Sequence, residues 1–283
     1  MIQVFEFESP KPGPTLLFMG AIHGNEKCGT RAIRRVIREM KSGKIKLQKG
    51  SITFVPIANP AAYTKDVRFV EKNLNRIFKP TKKPRSYEAR LANELCRIVD
   101  RCDVILDIHS TTAKGQPFIY LDFPTARNRA LAKSLGPPVA VTGWPQLYKK
   151  LGRSNEALDT PTYAAHQKKD GVLIECGQHK DPASPKVAYG AILNTMRHYG
   201  IIKGAAKTKR LIEIKISAGF FRKHTGDQLA GNWRHLDTVR KGDPIIRHVD
   251  KSVTKAPYNA YIIMPKSTAR VGDDWLYLGR KKG

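Results

Sequence analysis

The sequence predicts an α/β fold, with a central sheet flanked by helices, followed by a small β-rich domain at the C-terminal end. Three apolar runs have the length of buried strands, at 16–20, 104–108 and 172–174. Strands of this kind normally lie in a sheet that helices cover on both faces. After residue 203 the pattern changes to short β-type runs separated by turns. We therefore predict an α/β domain at 1–203 and a β-rich domain at 204–283.

The other elements of the first domain follow from local patterns, taken in chain order. Residues 1–8 alternate as a strand does, and further strands are predicted at 51–58, 116–121 and 139–141. Apolar residues at helical spacing predict helices at 30–40, 87–100, 125–135 and 184–199. Ser86 and Pro185 support two of these helix starts, because serine favours the N-cap and proline the first helical position.

A long polar segment at 61–86, rich in Lys, Arg and Pro, is predicted to be a loop. A loop of this length inside a compact domain is usually functional or disordered. Leu74, Ile77 and Phe78 favour an ordered loop, because they can anchor it against the core. Held there, Arg68 and Arg76 can meet a carboxylate with the two-pronged geometry of a guanidinium.

Composition indicates a soluble protein with reduced thiols. The chain has 283 residues, of which 41% are hydrophobic, and its mean hydropathy is −0.42. No run approaches the roughly 18 apolar residues that a membrane helix needs, so we expect no membrane association. The first residues lack a basic region followed by an apolar core, so a cytoplasmic location is expected. The four cysteines lack the close pairing of structural zinc sites, which predicts buried free thiols.

The charge of the chain is strongly basic. Lys and Arg number 51 against 24 Asp and Glu, giving a net charge of +27. Such a balance is typical of nucleic-acid-binding proteins, and a non-enzymatic protein of that class is one alternative. The sequence has no dense basic tail, no Arg-Gly repeat and no zinc-finger spacing. We therefore expect small anionic substrates and no specific nucleic-acid partner, with the oligomeric state left open.

Chemically active residues follow the three apolar runs. His23 and Glu26 come after the first, His109 ends the second and Glu175 ends the third. The carboxyl ends of such strands open into one crevice, so these side chains are expected to meet. Two histidines and one carboxylate leave the fourth position of zinc open, as in catalytic sites. We predict one Zn²⁺ per chain on His23, Glu26 and His109, with Glu175 apart as a proton acceptor.

At these residues the sequence resembles the succinylglutamate desuccinylase/aspartoacylase family, which is related to the zinc carboxypeptidases. The matching motifs are Gly-Ala-Ile-His-Gly-Asn-Glu at 20–26, Asn-Pro at 59–60, Arg68, Asn-Leu-Asn-Arg-Ile-Phe at 73–78, Asp-Ile-His-Ser-Thr at 107–111 and Ile-Glu-Cys-Gly at 174–177. The resemblance implies a mixed central sheet like that of the zinc carboxypeptidases. It also implies hydrolysis of an N-acyl amino acid similar to N-succinylglutamate or N-acetylaspartate.

The resemblance carries roles over to individual residues. It implies zinc on His23, Glu26 and His109, with Glu175 as general base and acid. It further implies that Arg68 polarises the scissile carbonyl, while Asn75 and Arg76 hold a substrate carboxylate. A carboxypeptidase acting on peptides is the nearest enzymatic alternative, although a β-rich domain over the cleft would hinder long substrates.

The sequence departs from the family pattern at three places. Asn73 stands where the family motif has Asp, residues 164–169 contain no Arg, and residues 267–270 contain no Tyr. In aspartoacylases an arginine is expected at the first of the last two places and a tyrosine at the second, where they help to bind the side-chain carboxylate of aspartate. Their absence argues against specificity for aspartate.

Overall fold

A large mixed sheet dominates the computed structural model, which describes residues 2–154 and 158–282. The strands are β1 (Phe5–Glu8), β2 (Thr15–Gly20), β3 (Ser51–Val55), β4 (Val104–Thr111), β5 (Phe118–Tyr120), β6 (Val139–Thr142), β7 (Asp170–Gln178), β8 (Ile212–Phe221), β9 (Gln228–Leu229), β10 (Thr238–Val239), β11 (Pro244–Arg247), β12 (Val253–Lys255), β13 (Ala260–Ile263) and β14 (Asp274–Lys281). The helices are α1 (Lys27–Lys41), α2 (Pro60–Lys65), α3 (Tyr87–Asp100), α4 (Ala126–Ser134), α5 (Trp144–Lys150), α6 (Thr160–His166) and α7 (Ser184–His198), and a 3₁₀ turn spans Leu74–Arg76.

Eleven of the described strands form one sheet, in the order β1-β3-β2-β4-β7-β5-β6-β8-β14-β13-β10. Strands β3, β2, β4 and β7 are parallel, whereas β5 runs antiparallel to β7, so the sheet is mixed as predicted. Strand β8 pairs in parallel with β6, which joins the β-rich C-terminal region to the same sheet. The remaining strands β12, β11 and β9 form a small separate sheet. The domain boundary at 203/204 therefore stays a proposal, since the strand ladder continues across it.

Helices cover both faces of the parallel strands. Along β2, Leu16 and Phe18 belong to the buried cluster that includes residues of α1, α4 and α7. Their neighbours Leu17 and Met19 belong to the opposite cluster, which includes residues of α3 and α6. Successive side chains of a strand point to opposite faces, so one uninterrupted apolar run supplies both cores. This explains why the strand lacks the alternation of a half-exposed sheet.

The predicted elements are largely present, and two differences have local causes. Strand β3 ends at Val55 rather than at residue 58. Its next residue is Pro56, which has no N–H for the strand ladder. The predicted loop at 61–86 begins with helix α2, because the Asn59 side chain accepts a hydrogen bond from Ala62 N at 3.2 Å and Pro60 occupies the first turn. Later in that segment, Leu74 and Phe78 are buried as expected.

Two expectations from composition can be compared with the structure. All four cysteines, Cys28, Cys96, Cys102 and Cys176, are buried free thiols, as predicted. Within residues 2–154 and 158–282, none of the helices combines the length and the apolar character that spanning a membrane requires.

Candidate active site

The carboxyl ends of three neighbouring parallel strands bring the predicted site residues together. His23 lies in the loop that leaves β2, and Glu26 directly precedes α1. The loop is tightened by a hydrogen bond from Glu26 N to His23 O at 3.1 Å. His109 lies in β4, directly beside Glu175 of β7 in the parallel register. Three chain segments that are far apart in sequence therefore meet at one edge of the sheet.

Glu26 occupies the centre of this group. Its Oε1 lies 2.8 Å from His23 Nδ1, and its Oε2 lies 2.8 Å from His109 Nδ1. The potential ligand atoms of the three residues all lie within 4.8 Å of one another, and all three side chains are buried. Ser110 N donates a further hydrogen bond to Glu26 Oε2 at 3.0 Å. The structure thus brings together the three residues that were predicted as metal ligands.

The second ring nitrogen of each histidine, Nε2, also faces an oxygen. His23 Nε2 lies 3.0 Å from Asn73 Oδ1 in a hydrogen bond, whereas His109 Nε2 lies 2.9 Å from Asp107 Oδ2 in an ion-pair contact that lacks hydrogen-bond geometry. Metal-binding histidines commonly have such partners, which orient the ring and fix its tautomer. The Nδ1 atoms of both histidines therefore face the carboxylate of Glu26. Imidazole nitrogen and carboxylate oxygen are ligands that zinc accepts, so the donor set fits this metal.

Burial and neighbouring charges shift the pKa values of the three predicted ligands in different directions. Burial and the positive charge of Arg68 lower the pKa of His23 to about 3. For His109, burial acts in the same direction, but the carboxylates of Asp107 and Glu26 raise its pKa well above the usual value. Burial also disfavours the charge of Glu26, yet the two imidazoles hold its pKa well below the usual value. Glu26 is therefore an ionised carboxylate, the form that binds metal.

Glu175 differs from Glu26 in its surroundings. Its side chain is buried, and its Oε2 has no hydrogen-bond partner among the described residues. Burial, reinforced by the negative charge of Glu26, raises the pKa of Glu175 to about 8. A buried carboxyl group with a raised pKa and a free oxygen can exchange a proton with a reacting molecule.

Arg68 approaches Glu26 from the polar segment that follows α2. Its Nη1 donates to Glu26 Oε1 at 3.2 Å, while 41% of the side chain stays exposed. The backbone of this segment is joined to the loop of His23, because Gly24 N donates to Arg68 O at 3.2 Å. A Cβ on Gly24 would lie 2.0 Å from the backbone carbon of Ala62, so only glycine fits here. The close contact places the guanidinium beside the His–Glu–His cluster.

Glu88, on α3, holds the next part of that segment. Its carboxylate accepts hydrogen bonds from Val70 N at 2.7 Å and from Lys72 N at 3.0 Å, and Glu71 N also donates to it. Burial opposes its ionisation, but these N–H donors and the amide of Asn59 lower the pKa of Glu88 below its usual value. Sequence reasoning assigned no role to Glu88. Its position at the first turn of a helix, 16 residues or more from its partners, gave no local signal.

Arg76 lies in the 3₁₀ turn and contacts two neighbours. Its Nη1 donates to Asn75 O at 2.9 Å and its Nη2 to Tyr148 OH at 3.1 Å. Tyr148 OH lies 3.2 Å from the OH of Tyr277, a residue of β14. A C-terminal tyrosine therefore does reach toward the site, from a stretch other than 267–270. Arg68 reaches the carboxylate of Glu26 with one nitrogen, and two-pronged binding of a substrate carboxylate by either arginine stays a prediction.

Asn75 is buried beside Arg76. Its Oδ1 lies 3.4 Å from Thr160 N, at the start of α6. The amide is therefore held by α6, next to the guanidinium with which it was predicted to bind substrate. The predicted substrate residues Asn75 and Arg76 thus share one anchored turn.

The fold and the site define an α/β protein with a buried His–Glu–His cluster at the carboxyl edge of a mixed sheet. The family model of the succinylglutamate desuccinylase/aspartoacylase catalytic domain matches residues 12–190. The chain belongs to this family.

Two relatives illustrate the similarity in sequence. The N-alpha-acetyl-L-2,4-diaminobutyric acid deacetylase of Halomonas elongata is 31% identical over 205 residues, which cover 68% of this chain and 56% of that protein. The N-acyl-aromatic-L-amino acid amidohydrolase (carboxylate-forming) of Rattus norvegicus is 34% identical over 118 residues, or 37% of this chain and 36% of that protein. The matched region thus spans about half or less of these relatives.

Solved structures share the fold over nearly the whole chain. A succinylglutamate desuccinylase/aspartoacylase from Rhodobacter sphaeroides has a TM-score of 0.79 at 19% identity, covering 100% of this chain and 89% of that one. The product-bound ectoine utilization protein EutE (DoeB) from Ruegeria pomeroyi has a TM-score of 0.80 at 21% identity, covering 99% and 88%. At these identities the likeness concerns the fold, including the C-terminal strands.

Proposed function

We propose that the protein is a zinc-dependent amidohydrolase that cleaves the amide bond of an N-acyl amino acid. The observation that carries the proposal is the convergence of His23, Glu26 and His109 near Glu175, one of whose carboxyl oxygens has no hydrogen-bond partner in the described part of the chain. Membership of the family supports the reaction class, because the relatives named above are a deacetylase and an amidohydrolase.

Different residues of this chain have different roles in the hydrolysis. Zinc, when bound by His23, Glu26 and His109, supplies Lewis acidity and lowers the pKa of water toward neutrality. Beside a bound cation, the raised pKa of the neighbouring Glu175 would fall and its ionised form would be favoured, so that Glu175 could accept a proton from the attacking water and return it to the leaving nitrogen. Arg68 has a partly exposed side chain and one contact to Glu26. It can therefore turn to the scissile carbonyl and stabilise the negative charge that develops on its oxygen.

The substrate is a small N-acyl amino acid with a free α-carboxylate. Arg76 and Asn75 bind that carboxylate from their anchored turn, and the positive charge of the guanidinium favours an anion. N-succinylglutamate and N-acetylaspartate are the substrates first implied by the sequence. The similarity to an N-acetyl-diaminobutyrate deacetylase adds N-acetyl amino acids with other side chains. We place the enzyme in the cytoplasm.

A hydrolysis screen with metal analysis tests this proposal. Zinc-loaded protein is incubated with N-succinylglutamate, N-acetylaspartate, N-acetyl-diaminobutyrate and N-acyl aromatic amino acids, and the released amino groups are measured. We expect one zinc per chain and turnover of at least one substrate. His109→Ala, which removes one ligand, should lose both zinc and activity while the far-ultraviolet circular dichroism stays native. Absence of bound zinc, with no activity recovered on adding it, would refute the proposal.

A further inference from the structure

The two histidine ligands differ in the group that faces their outer nitrogen. His109 Nε2 lies 2.9 Å from a carboxylate oxygen of Asp107, whereas His23 Nε2 lies 3.0 Å from the amide oxygen of Asn73. Asp107 is fully buried and lies on the same strand as His109. Asn73 belongs to the polar segment that also carries Arg68 and Arg76. One ligand thus has a charged partner and the other a neutral one.

The orientation of the Asn73 amide follows from a second hydrogen bond. Asn75 N donates to Asn73 Oδ1 at 3.1 Å, and a backbone N–H can only donate. The atom that faces His23 is therefore the oxygen, and His23 must donate to it from Nε2. A proton held on Nε2 by that contact would leave the lone pair of Nδ1 to a bound metal, in place of the present 2.8 Å contact between Nδ1 and Glu26 Oε1.

We propose that Asn73 is a positioning residue that holds His23 in the Nδ1-binding tautomer and, being neutral, sets a weaker zinc affinity than a carboxylate at this position would give. The inference rests on the proposed zinc site. It concerns a position where the family motif carries Asp.

The expected difference in zinc affinity depends on the strength of the hydrogen bond between His23 Nε2 and the side chain at position 73. A carboxylate acceptor makes a stronger hydrogen bond than an amide and increases the basicity of the ligating nitrogen. Changes of such partners typically alter metal affinity by about 10- to 100-fold. The same oxygen of Asn73 also caps the 3₁₀ turn that carries Asn75 and Arg76. The metal ligand and the substrate-binding turn are therefore joined through one atom.

Two substitutions distinguish the effect of Asn73 on the position of His23 from its effect as the cap of the 3₁₀ turn. Asn73→Asp keeps both contacts and adds a negative charge, so the zinc Kd should fall by about 10-fold or more. Asn73→Ser keeps a hydroxyl that can cap the turn but is one bond too short to reach His23. Its zinc Kd should rise by about 10- to 100-fold, while the unfolding midpoint of the metal-free protein stays close to that of wild type.

The measurement is competition for zinc against a chromogenic chelator, with the visible absorption spectrum of the cobalt-substituted protein as a second readout. A change in the ligand field at His23 should shift that spectrum in Asn73→Ser, which a purely structural role would not do. Equal zinc affinities in wild type, Asn73→Asp and Asn73→Ser would overturn this inference and leave the zinc site intact. Failure of every form, wild type included, to bind zinc would overturn the proposed function as well.

Discussion

His109 and Glu175 are direct neighbours on the parallel strands β4 and β7. Neighbouring strands lie about 4.8 Å apart, so the proposed metal ligand His109 and the proposed proton acceptor Glu175 stand side by side on one edge of the sheet. Glu26 supplies its carboxylate to both histidines, whereas Glu175 Oε2 has no partner within the described part of the chain. The two glutamates are therefore suited to different tasks, one to binding metal and the other to moving a proton.

Replacing Glu175 by Gln should separate these tasks. The amide has the same shape as the carboxyl group but cannot accept the proton of the attacking water. Glu175→Gln should therefore retain one zinc per chain and lower kcat by at least about 100-fold, the usual scale of general acid–base catalysis. Zinc content and kcat are measured on the same preparation. Glu8→Gln, at an exposed position on the edge strand β1, is the control for loss of one carboxylate. Loss of zinc from Glu175→Gln would instead identify Glu175 as a ligand.

Arg76 should determine how strongly kcat/KM depends on a free α-carboxylate in the substrate. Losing a hydrogen bond to a charged group costs about 1.5–3 kcal/mol, so Arg76→Ala should lower kcat/KM by roughly 100-fold. The loss should be large for substrates with a free α-carboxylate and small for the matching amides. Arg76→Lys should rescue poorly, because an ammonium does not reproduce the geometry of a guanidinium.

Tyr148→Phe is the matched control for Arg76. It removes one partner of the guanidinium, at Nη2, and keeps the charge. An ordinary hydrogen bond contributes about 1 kcal/mol, so kcat/KM should fall only about 5-fold. A loss in Arg76→Ala that is equal for acids and amides would contradict a carboxylate-binding role.

Glu88 should stabilise the segment that carries Arg68 and Arg76. Glu88→Gln replaces an oxygen that accepts backbone N–H groups by an amide nitrogen that cannot accept them. Losing backbone hydrogen bonds to this buried carboxylate costs about 1–3 kcal/mol, and urea denaturation at neutral pH should show a loss of this size in the free energy of unfolding. Glu94→Gln, on the same helix, should change it by less than about 0.5 kcal/mol. Equal stability of the two variants would show that Glu88 does not anchor the segment.

Local sequence patterns predicted that His23, Glu26, His109 and Glu175 lie close together, because these residues stand at or just after the ends of apolar strands. Parallel strands share an edge, so the register needed no further information. Tyr148 and Tyr277 could not be predicted in this way. Their hydroxyl groups meet across 129 residues, and the contact depends on the pairing of β14 with β8 and of β8 with β6. The motif position of the family's C-terminal tyrosine corresponds to 267–270, whereas the sheet brings Tyr277 beside Tyr148, the partner of Arg76.

Asn73 shows a different limit of sequence reasoning. The motif identified the position, and the residue type was known to depart from the family. Its contact with His23 Nε2 depends on how the segment folds back over the loop after β2. That folding relies on buried anchors, Leu74 and Phe78, which the sequence did reveal, and on Glu88, which it did not.

His235 should make the stability of the fold depend on pH. The residue is buried, its Nδ1 accepts a hydrogen bond from Met264 N at 3.2 Å, and its ring stacks on Phe118 at a centroid distance of 4.2 Å. Its Nε2 has no hydrogen-bond partner among the described residues. Burial lowers the pKa of His235 to about 3. The packed C-terminal region therefore contains a histidine that must stay neutral.

The sign of the effect follows from proton linkage. The pKa of His235 in the folded protein lies below the ordinary value of about 6.5 that applies to the unfolded chain. Between pH 6.5 and pH 3 the unfolded chain binds more protons, so the free energy of unfolding falls as the pH falls, by up to about 1.4 kcal/mol per pH unit.

His235→Asn keeps an acceptor near the position of Nδ1 and does not titrate. From pH 7 to pH 5, wild type should lose about 2 kcal/mol more stability than this variant. Urea denaturation across that range measures the difference, with His224→Asn at an exposed position expected to follow wild type. Parallel pH profiles for wild type and His235→Asn would mean that the buried ring accepts a proton without unfolding.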